Sequence, residues 1–189
     1  RIYGLGQRGV NTAAVFPNWQ SADAIPERAK LIAYGCDWGF TNDPTAIVSV
    51  WREDYSLYIE EHIYKTGMTN QDISEELDKL ELDRTPIICD SAEPKSLEEL
   101  HRLGHNVKPA KKGPDSIRRG IDIMKRHKLF ILKDSLNAQK EFRNYRWEVD
   151  RNGTQLSKPV DKSNHIIDAV RYVCINRIGT AYTGKYFIS

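Results

Sequence analysis

The amino-acid sequence predicts a mixed α/β domain, built on a sheet whose antiparallel first part is continued by parallel strands. Three strand-like segments follow one another at residues 31–37, 45–52 and 57–64 with no helical pattern between them, which predicts an antiparallel meander. Helical and strand patterns then alternate from residue 69 onward, which predicts crossovers, parallel strands and helices on both faces of the sheet. A late hairpin pattern occupies residues 145–158.

The composition is that of a globular domain. The chain has 189 residues, of which 40% are hydrophobic and 29% charged, so we expect one domain with a substantial core. The net charge of +2 is too small to indicate a partner. No window approaches the length of apolar chain that spans a bilayer and no signal peptide is present, so we expect a soluble protein without membrane contact. The chain has three cysteines, Cys36, Cys89 and Cys174, and they form no Cys-x-x-Cys pair. The first two are interpreted as reduced core residues of a cytosolic protein.

The beginning of the chain is interpreted as a linker or lead-in, residues 1–30, and the domain proper as residues 31–189. Because the first residue is arginine, we interpret the chain as a fragment of a longer one. Within the lead-in only residues 10–16 have the pattern of a short strand. Glycine and proline interrupt any longer element there, at Gly4, Gly6, Gly9, Pro17 and Pro26.

Caps and turn residues mark the elements that follow the meander. Thr69 is a favourable N-cap, and Gly104 is a favourable stop signal for the second helix. The dipeptide Asn152-Gly153 fits a tight type I′ turn in the late hairpin. The predicted elements are, in order, helix 69–82, strand 86–90, helix 94–103, strand 107–110, helix 115–127, strand 129–132, helix 135–145, the hairpin and helix 164–177.

Two of the predicted strands end in the same dipeptide, Cys-Asp. Asp37 ends the first strand of the meander, and Asp90 ends the strand that follows the first helix. If these strands are parallel neighbours, the two carboxylates lie side by side at the edge where open α/β sheets bind ligands. Carboxylates that close repel each other unless a cation lies between them, and oxygen ligands select Mg²⁺ or Mn²⁺ over Zn²⁺. For Asp37 alone, a turn-forming role is the simpler alternative.

The last predicted helix supplies the third candidate ligand. His165 and Asp168 are three residues apart and so share a face of that helix, and Asp168 lies in a largely apolar stretch. The alternatives are that Asp168 forms a salt bridge with Arg171 or faces solvent, and that His165 is exposed at the helix start. With Asp37 and Asp90 at hand, we favour a metal site in which Asp168 is the third acid. His165 would shuttle a proton there or bind a second ion.

Three other acids are weaker candidates. Asp43 lies six residues beyond Asp37 in the same loop and could either complete the shell of a second ion or serve only the turn. Glu93 is better explained as a first-turn charge of the next helix, and Asp161 as part of a loop. A site of this kind supports two-metal phosphodiester hydrolysis, in which one ion activates water and the other stabilises the leaving 3′-oxygen.

A basic stretch between residues 108 and 128 is a candidate DNA surface. It holds eight basic and two acidic side chains, and such a patch gives phosphate contacts that do not depend on base sequence. The alternative is a solvated helix face, and beside an acidic metal site we favour DNA. Trp147 could touch the strand or belong to the core. The candidate DNA contacts are Lys108, Lys111, Lys112, Arg118, Arg119, Lys125, Arg126 and Arg146.

Three stretches of the chain together resemble one known family. Residues 35–46, 88–94 and 164–172, in that order, look like the motifs of the nuclease domain of the large terminase subunit of tailed bacteriophages. Residues 4–19 also look like the segment that joins that domain to an ATPase motor. The resemblance covers nearly the whole chain. It implies an RNase H-like fold, related to resolvases and integrases, with the meander, parallel strands and hairpin described above.

The resemblance also implies a function and partners. It implies a Mg²⁺- or Mn²⁺-dependent endonuclease, with two ions, that cuts concatemeric viral double-stranded DNA when packaging starts and when the head is full. The acidic ligand positions fall on Asp37, Asp90 and Asp168, and Asp43 and His165 become accessory candidates. The implied partners are DNA, the procapsid portal, the small terminase subunit and the ATPase domain of the same full-length chain, in the host bacterial cytoplasm. The hairpin is similar to one that gates the cleft in some members.

Other functions remain open to test. No Gly-x-x-x-x-Gly-Lys-Ser/Thr motif occurs, so we expect that this fragment cannot package DNA by itself. Residues 37–41 also match the Asp-x-Gly-x-Thr phosphate loop of actin-like ATPases, but the chain lacks the length and second loop of that class. An RNase H or Holliday-junction resolvase shares the acidic edge but lacks the lead-in and the late hairpin. A catalytically inactive docking module for the portal is the non-enzymatic alternative, and it would tolerate loss of Asp37.

Overall fold

The computed structural model describes residues 14–39, 41–80, 82 and 84–179. In chain order its elements are β1 Gln20–Ala22, β2 Lys30–Asp37, β3 Thr45–Glu53, β4 Ser56–Lys65, α1 Asn70–Lys79, β5 Ile87–Cys89, α2 Pro94–Arg102, β6 Val107–Pro109, α3 Ser116–Lys125, β7 Lys128–Leu132, α4 Leu136–Asn144, β8 Trp147–Val149, β9 Gln155–Pro159 and α5 His165–Val173. A π-helical turn, Cys174–Ile178, continues α5.

Seven of the strands form one mixed sheet in the order β1-β7-β4-β3-β2-β5-β6. β2, β3 and β4 pair antiparallel as the predicted meander, because two short connections join them. The other pairs in this sheet are parallel, with β5 beside β2, β6 beside β5, β7 beside β4 and β1 beside β7. Strands β8 and β9 form the separate late hairpin. The predicted fold class is therefore confirmed.

The hydrophobic core has two parts, one on each face of the sheet. Buried side chains of α3, α4 and α5, such as Ile121, Phe142 and Ile167, pack against one face. Leu77 of α1 and Leu100 of α2 pack against the other. Each helix buries only one stripe, so the charged side chains between these positions remain outside the core. None of the described helices is long and apolar enough to cross a lipid bilayer.

The described part of the predicted lead-in contributes to the fold. Val15 and Phe16 are buried in the core, and residues 20–22 form β1 at the edge of the sheet. The described part of residues 1–30 thus has no long element, as predicted, but it contains one short strand that the sequence did not indicate. β1 has only three residues and no apolar alternation, so it forms because β7 offers an unpaired edge. Of the predicted strand at residues 10–16, positions 10–13 lie outside the described residues.

The hairpin turn differs from the predicted type. A type I′ turn needs positive φ at both central residues, but here only Gly153 has one, at +80°. The turn runs from Asp150 to Gly153, whose N–H donates to the Asp150 carbonyl at 3.0 Å. The Asp150 carboxylate also accepts from the N–H groups of Asn152 and Thr154, each at 2.8 Å. This side chain therefore selects a turn one residue longer than the Asn-Gly pattern suggests.

Candidate functional site

Two carboxylates meet where β2 and β5 end. Cys36 and Cys89 are paired in the parallel register, so the residues that follow them, Asp37 and Asp90, lie next to each other at the ends of their strands. The Asp90 N–H donates to the Cys36 carbonyl at 3.0 Å, which fixes the two strand ends to each other. Only 12% of the Asp37 side chain and 17% of the Asp90 side chain are exposed. Two acids this close and this buried require compensation by positive charge or by hydrogen-bond donors.

Helix α5 crosses the same edge of the sheet and comes unusually close to β2. Gly35 faces the Ala169 carbonyl of α5, and a Cβ atom on Gly35 would overlap that oxygen and lie 3.1 Å from Val173 Cγ2. Because α5 lies this close to β2, the polar side chains on that face of the helix reach the acids. His165 Nδ1 lies 3.0 Å from Asp37 Oδ2. The strand-helix contact therefore depends on the absence of a side chain at residue 35.

Tyr172 joins the two strand-end carboxylates. Its hydroxyl lies 3.2 Å from Asp37 Oδ1 and 3.2 Å from Asp90 Oδ2. A hydroxyl has one proton, so it can donate to only one of the two acids at a time. Burial, followed by the charges of Asp37, Asp168 and Asp90, raises the pKa of Tyr172 and keeps the phenol protonated. Between Asp37 and Asp90, two carboxylate oxygens therefore share the single proton of the Tyr172 hydroxyl.

Asp168 lies one turn before Tyr172 on the same helix face. The alternative that it forms a salt bridge with Arg171 is correct, since Oδ1 lies 3.1 Å from the Arg171 Nη2. Burial nevertheless raises the pKa of Asp168 to about 6; the nearby Asp37 charge also raises it, while the Arg171 guanidinium lowers it. The salt bridge does not exclude the predicted site, because Asp168 is close enough to feel the charge of Asp37.

A lysine and a histidine flank the two acids. The Lys112 ammonium contacts Asp90 Oδ1 and lies 5.0 Å from the centre of the Tyr172 ring. Burial of Asp90 opposes its ionisation, but hydrogen bonds from Lys112 and the Ala92 N–H outweigh this and lower the Asp90 pKa. On the other side, the hydrogen bond to Asp37 raises the pKa of His165 against its burial. Lys112 thus supplies positive charge beside Asp90, and the contact with Asp37 favours the protonated form of His165 on the other side.

The loop between β2 and β3 closes one side of the site. Trp38 Nε1 donates to the Asp90 carbonyl at 2.9 Å, and the Gly39 N–H donates to Thr45 Oγ1 at 3.1 Å. The loop folds so tightly at Gly39 that a Cβ atom there would overlap the backbone of residues 43–45. Asp43 is mostly exposed, with Oδ1 3.7 Å from His165 Nε2. The loop therefore places Asp43 at the rim of the site rather than inside it.

The donor set at this site fits a hard divalent cation. It consists of three carboxylates with a neighbouring imidazole, and oxygen donors of this kind favour Mg²⁺ or Mn²⁺. Within the described ranges, no three Asp, Glu, His or Cys side chains are already arranged as a cage for an ion. Lys112 contacts one of the oxygen atoms that an ion would need, and Arg171 contacts another. An ion would therefore replace an existing cation rather than enter a neutral cavity.

The candidate DNA residues occupy different environments. Six of them are exposed, in β6, on the loop after it, along α3 and at the end of that helix: Lys108, Lys111, Arg118, Arg119, Lys125 and Arg126. Lys125 lies over the Trp147 ring of the hairpin at 5.0 Å, and Trp147 itself packs against the core. Lys112 is engaged at the acids, and Arg146 is only partly exposed. Most of the basic stretch is thus open to solvent, and Lys112 is the member of it that reaches the acids.

Sequence reasoning gave too little weight to the residues that hold the acids in place. Tyr172 is four positions after Asp168, a spacing that identifies a shared helix face. A buried acid, Glu141, lies behind the start of α5 and was not singled out, although it stands among the apolar positions of α4. Asp161 is exposed in a loop, as predicted. Glu93 lies at the N-cap position of α2, just before the first turn, and its side chain makes no capping hydrogen bond, so its prediction as a first-turn charge is wrong.

A family comparison covers most of the chain. The family model described as "Terminase RNAseH like domain" matches residues 37–174. The large terminase subunit of Bacillus phage SPP1 is 32% identical over 182 residues, which cover 89% of this chain. The PBSX phage terminase large subunit of Bacillus subtilis strain 168 is 29% identical over 182 residues, 91% of the chain. The chain spans 42% of the length of each of these relatives.

Solved structures share the fold. The nuclease domain of the large terminase of phage SPP1, solved with bound Mn, has a TM-score of 0.73 and 29% identity, covering 84% of this chain and 96% of that domain. The large terminase nuclease of the thermophilic phage G20c, solved with bound magnesium, has a TM-score of 0.63, covering 87% of this chain and 97% of that one. At 16% identity, this second likeness shows the fold alone.

Proposed function

The chain belongs to the terminase RNase H-like domain family, and on that premise we propose that it is the DNA-cutting domain of a phage packaging enzyme. The proposed reaction is divalent-metal-dependent hydrolysis of phosphodiester bonds in concatemeric viral double-stranded DNA, at the start and the end of headful packaging. The observation that carries this proposal is the pair of carboxylates, Asp37 and Asp90, that share one hydroxyl at 3.2 Å, with Asp168 on the facing helix. The SPP1 nuclease domain solved with bound Mn supports the choice of metal.

Each side chain has a proposed role. Asp37, Asp90 and Asp168 would hold Mg²⁺ or Mn²⁺, and the two-metal scheme calls for two ions. Asp43, at the rim of the site, would contribute to the second ion. Bound there, the ions would activate a water molecule and stabilise the leaving 3′-oxygen. His165 would accept or deliver a proton, since its imidazole already lies 3.0 Å from Asp37 and its pKa is raised by that contact.

The surface around the acids suits a polyanion. The exposed basic side chains of the loop after β6 and of α3 would contact phosphate groups, which gives affinity without base readout. Lys112 contacts Asp90 at the end of that surface. With a divalent cation held by the acids, Asp90 would no longer need the ammonium as its counter-charge, and Lys112 would be available to the DNA backbone. Sequence preference would then come from elsewhere, and we propose the small terminase subunit as its source.

The proposed setting is larger than the chain itself. The two large-subunit relatives are more than twice its length, so we propose that it works beside an ATPase motor in the same polypeptide, joined through residues 1–30. The portal of the procapsid would be the docking partner and the host cytoplasm the site of action. These partners follow from the family and not from a contact in the structure.

Nicking of supercoiled plasmid tests the proposed function. We expect conversion of the supercoiled form to nicked and linear forms with Mn²⁺ or Mg²⁺, and none with EDTA, because the acids repel one another and the phosphate without a cation. The rate should also fall steeply between 50 and 200 mM salt, as for phosphate-dominated binding. A folded protein that binds DNA but cuts with neither metal would contradict the proposal and favour the inactive docking module.

A further inference from the structure

A buried acid lies directly behind the candidate site. Glu141 of α4 is only 2% exposed, so its carboxylate depends on hydrogen bonds for compensation. Its Oε2 accepts from the backbone N–H groups of Ile166, at 2.8 Å, and Ile167, at 3.2 Å. Its Oε1 accepts from the Tyr64 hydroxyl at 2.9 Å. All three donors are fixed by the fold, and two of them belong to the first turn of α5.

The first turn of α5 has few other acceptors available. The first N–H groups of a helix have no intrahelical partner and need an acceptor from outside. Asn164 holds the N-cap position of α5, but its side chain makes no capping hydrogen bond. Glu141 supplies the missing acceptor from another helix, and its negative charge is favourable at a helix N-terminus. The start of α5 is thus held by one carboxylate from α4.

The residues held in this way adjoin the proposed chemistry. His165 precedes Ile166 and contacts Asp37, and Asp168 follows Ile167. We propose that Glu141 is a positioning residue of the nuclease site, which fixes the start of α5 so that His165 and Asp168 face Asp37. The expected effect on metal binding and cutting rests on the proposed function. The claim that Glu141 holds the start of α5 does not. Among the described residues, Glu141 forms no hydrogen bond or ion pair with a candidate metal ligand, and it acts through the backbone of α5. Beyond the hydrogen bond to Asp37, its charge also contributes to the raised pKa of His165.

The variant Glu141→Gln tests the inference. Glutamine keeps the volume and one acceptor oxygen but removes the charge from the helix start. We expect amide hydrogen exchange at Ile166 and Ile167 to accelerate by about tenfold, since hydrogen bonds to charged groups are the stronger class. We expect Mn²⁺ affinity, measured by calorimetry, to fall by about 10- to 100-fold, as for residues that orient metal ligands. In plasmid nicking kcat should fall, with KM for DNA nearly unchanged.

A matched control exists on the neighbouring helix. Glu61 of β4 accepts from the Ala138 N–H at 2.9 Å and from the Asn137 side chain at 2.6 Å, so it caps α4 as Glu141 caps α5. Glu61→Gln should accelerate exchange at Ala138 and leave Ile166, Ile167 and the Mn²⁺ affinity close to wild type. A purely structural role for Glu141 predicts instead that the two variants have the same effect on metal binding.

Each outcome decides one claim. Wild-type exchange at Ile166 and Ile167 in Glu141→Gln, or equal loss of Mn²⁺ affinity in both variants, would overturn the inference. A wild-type protein that neither binds Mn²⁺ nor cuts would overturn the proposed function, while the exchange rates would still decide whether Glu141 holds α5. If Glu141→Gln does not fold, Glu141→Asp replaces it, because the shorter side chain withdraws the carboxylate from both N–H groups. Unchanged exchange in that variant would equally overturn the inference.

Discussion

The substitution Asp168→Asn is expected to abolish metal-dependent cutting while leaving the fold intact. Asparagine has nearly the same volume and keeps an oxygen that can accept from Arg171, but it removes one of three proposed ligand charges. Loss of such a ligand removes several kcal/mol of transition-state stabilisation, which corresponds to a rate on the order of 1,000-fold lower. The initial rate of plasmid nicking at saturating Mn²⁺, measured for the variant and for wild type, gives this ratio of rates.

The stability of the same variant separates chemistry from folding. The pKa of Asp168 is raised to about 6, so its protonated form stabilises the metal-free protein, and that contribution is lost as pH rises through about 6. Asparagine does not titrate, so metal-free Asp168→Asn should be at least as stable as wild type at pH 7.5, and the difference should shrink toward pH 4. Asp134→Asn, an exposed acid before α4, serves as the activity control. Equal rates for Asp168→Asn and this control would contradict the assignment of Asp168.

The substitution Gly35→Ala is expected to destabilise the protein by lifting α5 from β2. A Cβ atom at residue 35 would overlap the backbone carbonyl of Ala169, and backbone cannot rotate away as a side chain can. Overpacking of a well-filled core costs about 1–3 kcal/mol. Because α5 carries His165 and Asp168, Mn²⁺ affinity should fall as well. Chemical denaturation gives the change in free energy of unfolding, and calorimetry gives the change in affinity.

Gly113→Ala is the matched control for the Gly35 variant. It adds the same methyl group where nothing lies within 4 Å, and its backbone φ is not in the left-handed region. Its free energy of unfolding should equal that of wild type or rise slightly through the unfolded state. If Gly35→Ala were as stable as Gly113→Ala and bound Mn²⁺ normally, the close contact of β2 and α5 would not be what orders the site.

Local sequence patterns were sufficient for the helices, for the strands other than β1 and for the juxtaposition of Asp37 with Asp90. Both acids stand at the ends of apolar strands, and the crossover helix between those strands allows the parallel arrangement that the structure shows. The family resemblance, confirmed by the match over residues 37–174, made the same assignment from motifs. The roles of these acids stay predictions, because proximity alone does not show that they bind an ion.

What the sequence did not reveal depends on long-range contacts. A basic run does not indicate which lysine reaches an acid, and Lys112 contacts Asp90, 22 residues away in the chain. Glu141 accepts from N–H groups 25 and 26 residues further along the chain, and no local pattern predicts this. The hairpin turn was mistaken because the Asp150 side chain outweighed the Asn-Gly preference. In each case a side chain found a partner that only the folded chain brings near.

A crystal of this domain soaked in Mn²⁺, with anomalous diffraction collected to locate the ions, tests the central claim most directly. We predict anomalous density bonded at about 2.1 Å to carboxylate oxygens of Asp37 and Asp90, a contribution from Asp168, and the Lys112 ammonium withdrawn from Asp90. The number of peaks would also distinguish one ion from two. If the soaked protein showed no peak at these carboxylates, with Lys112 still on Asp90, the three acids would not form a metal site and the proposed chemistry would be wrong.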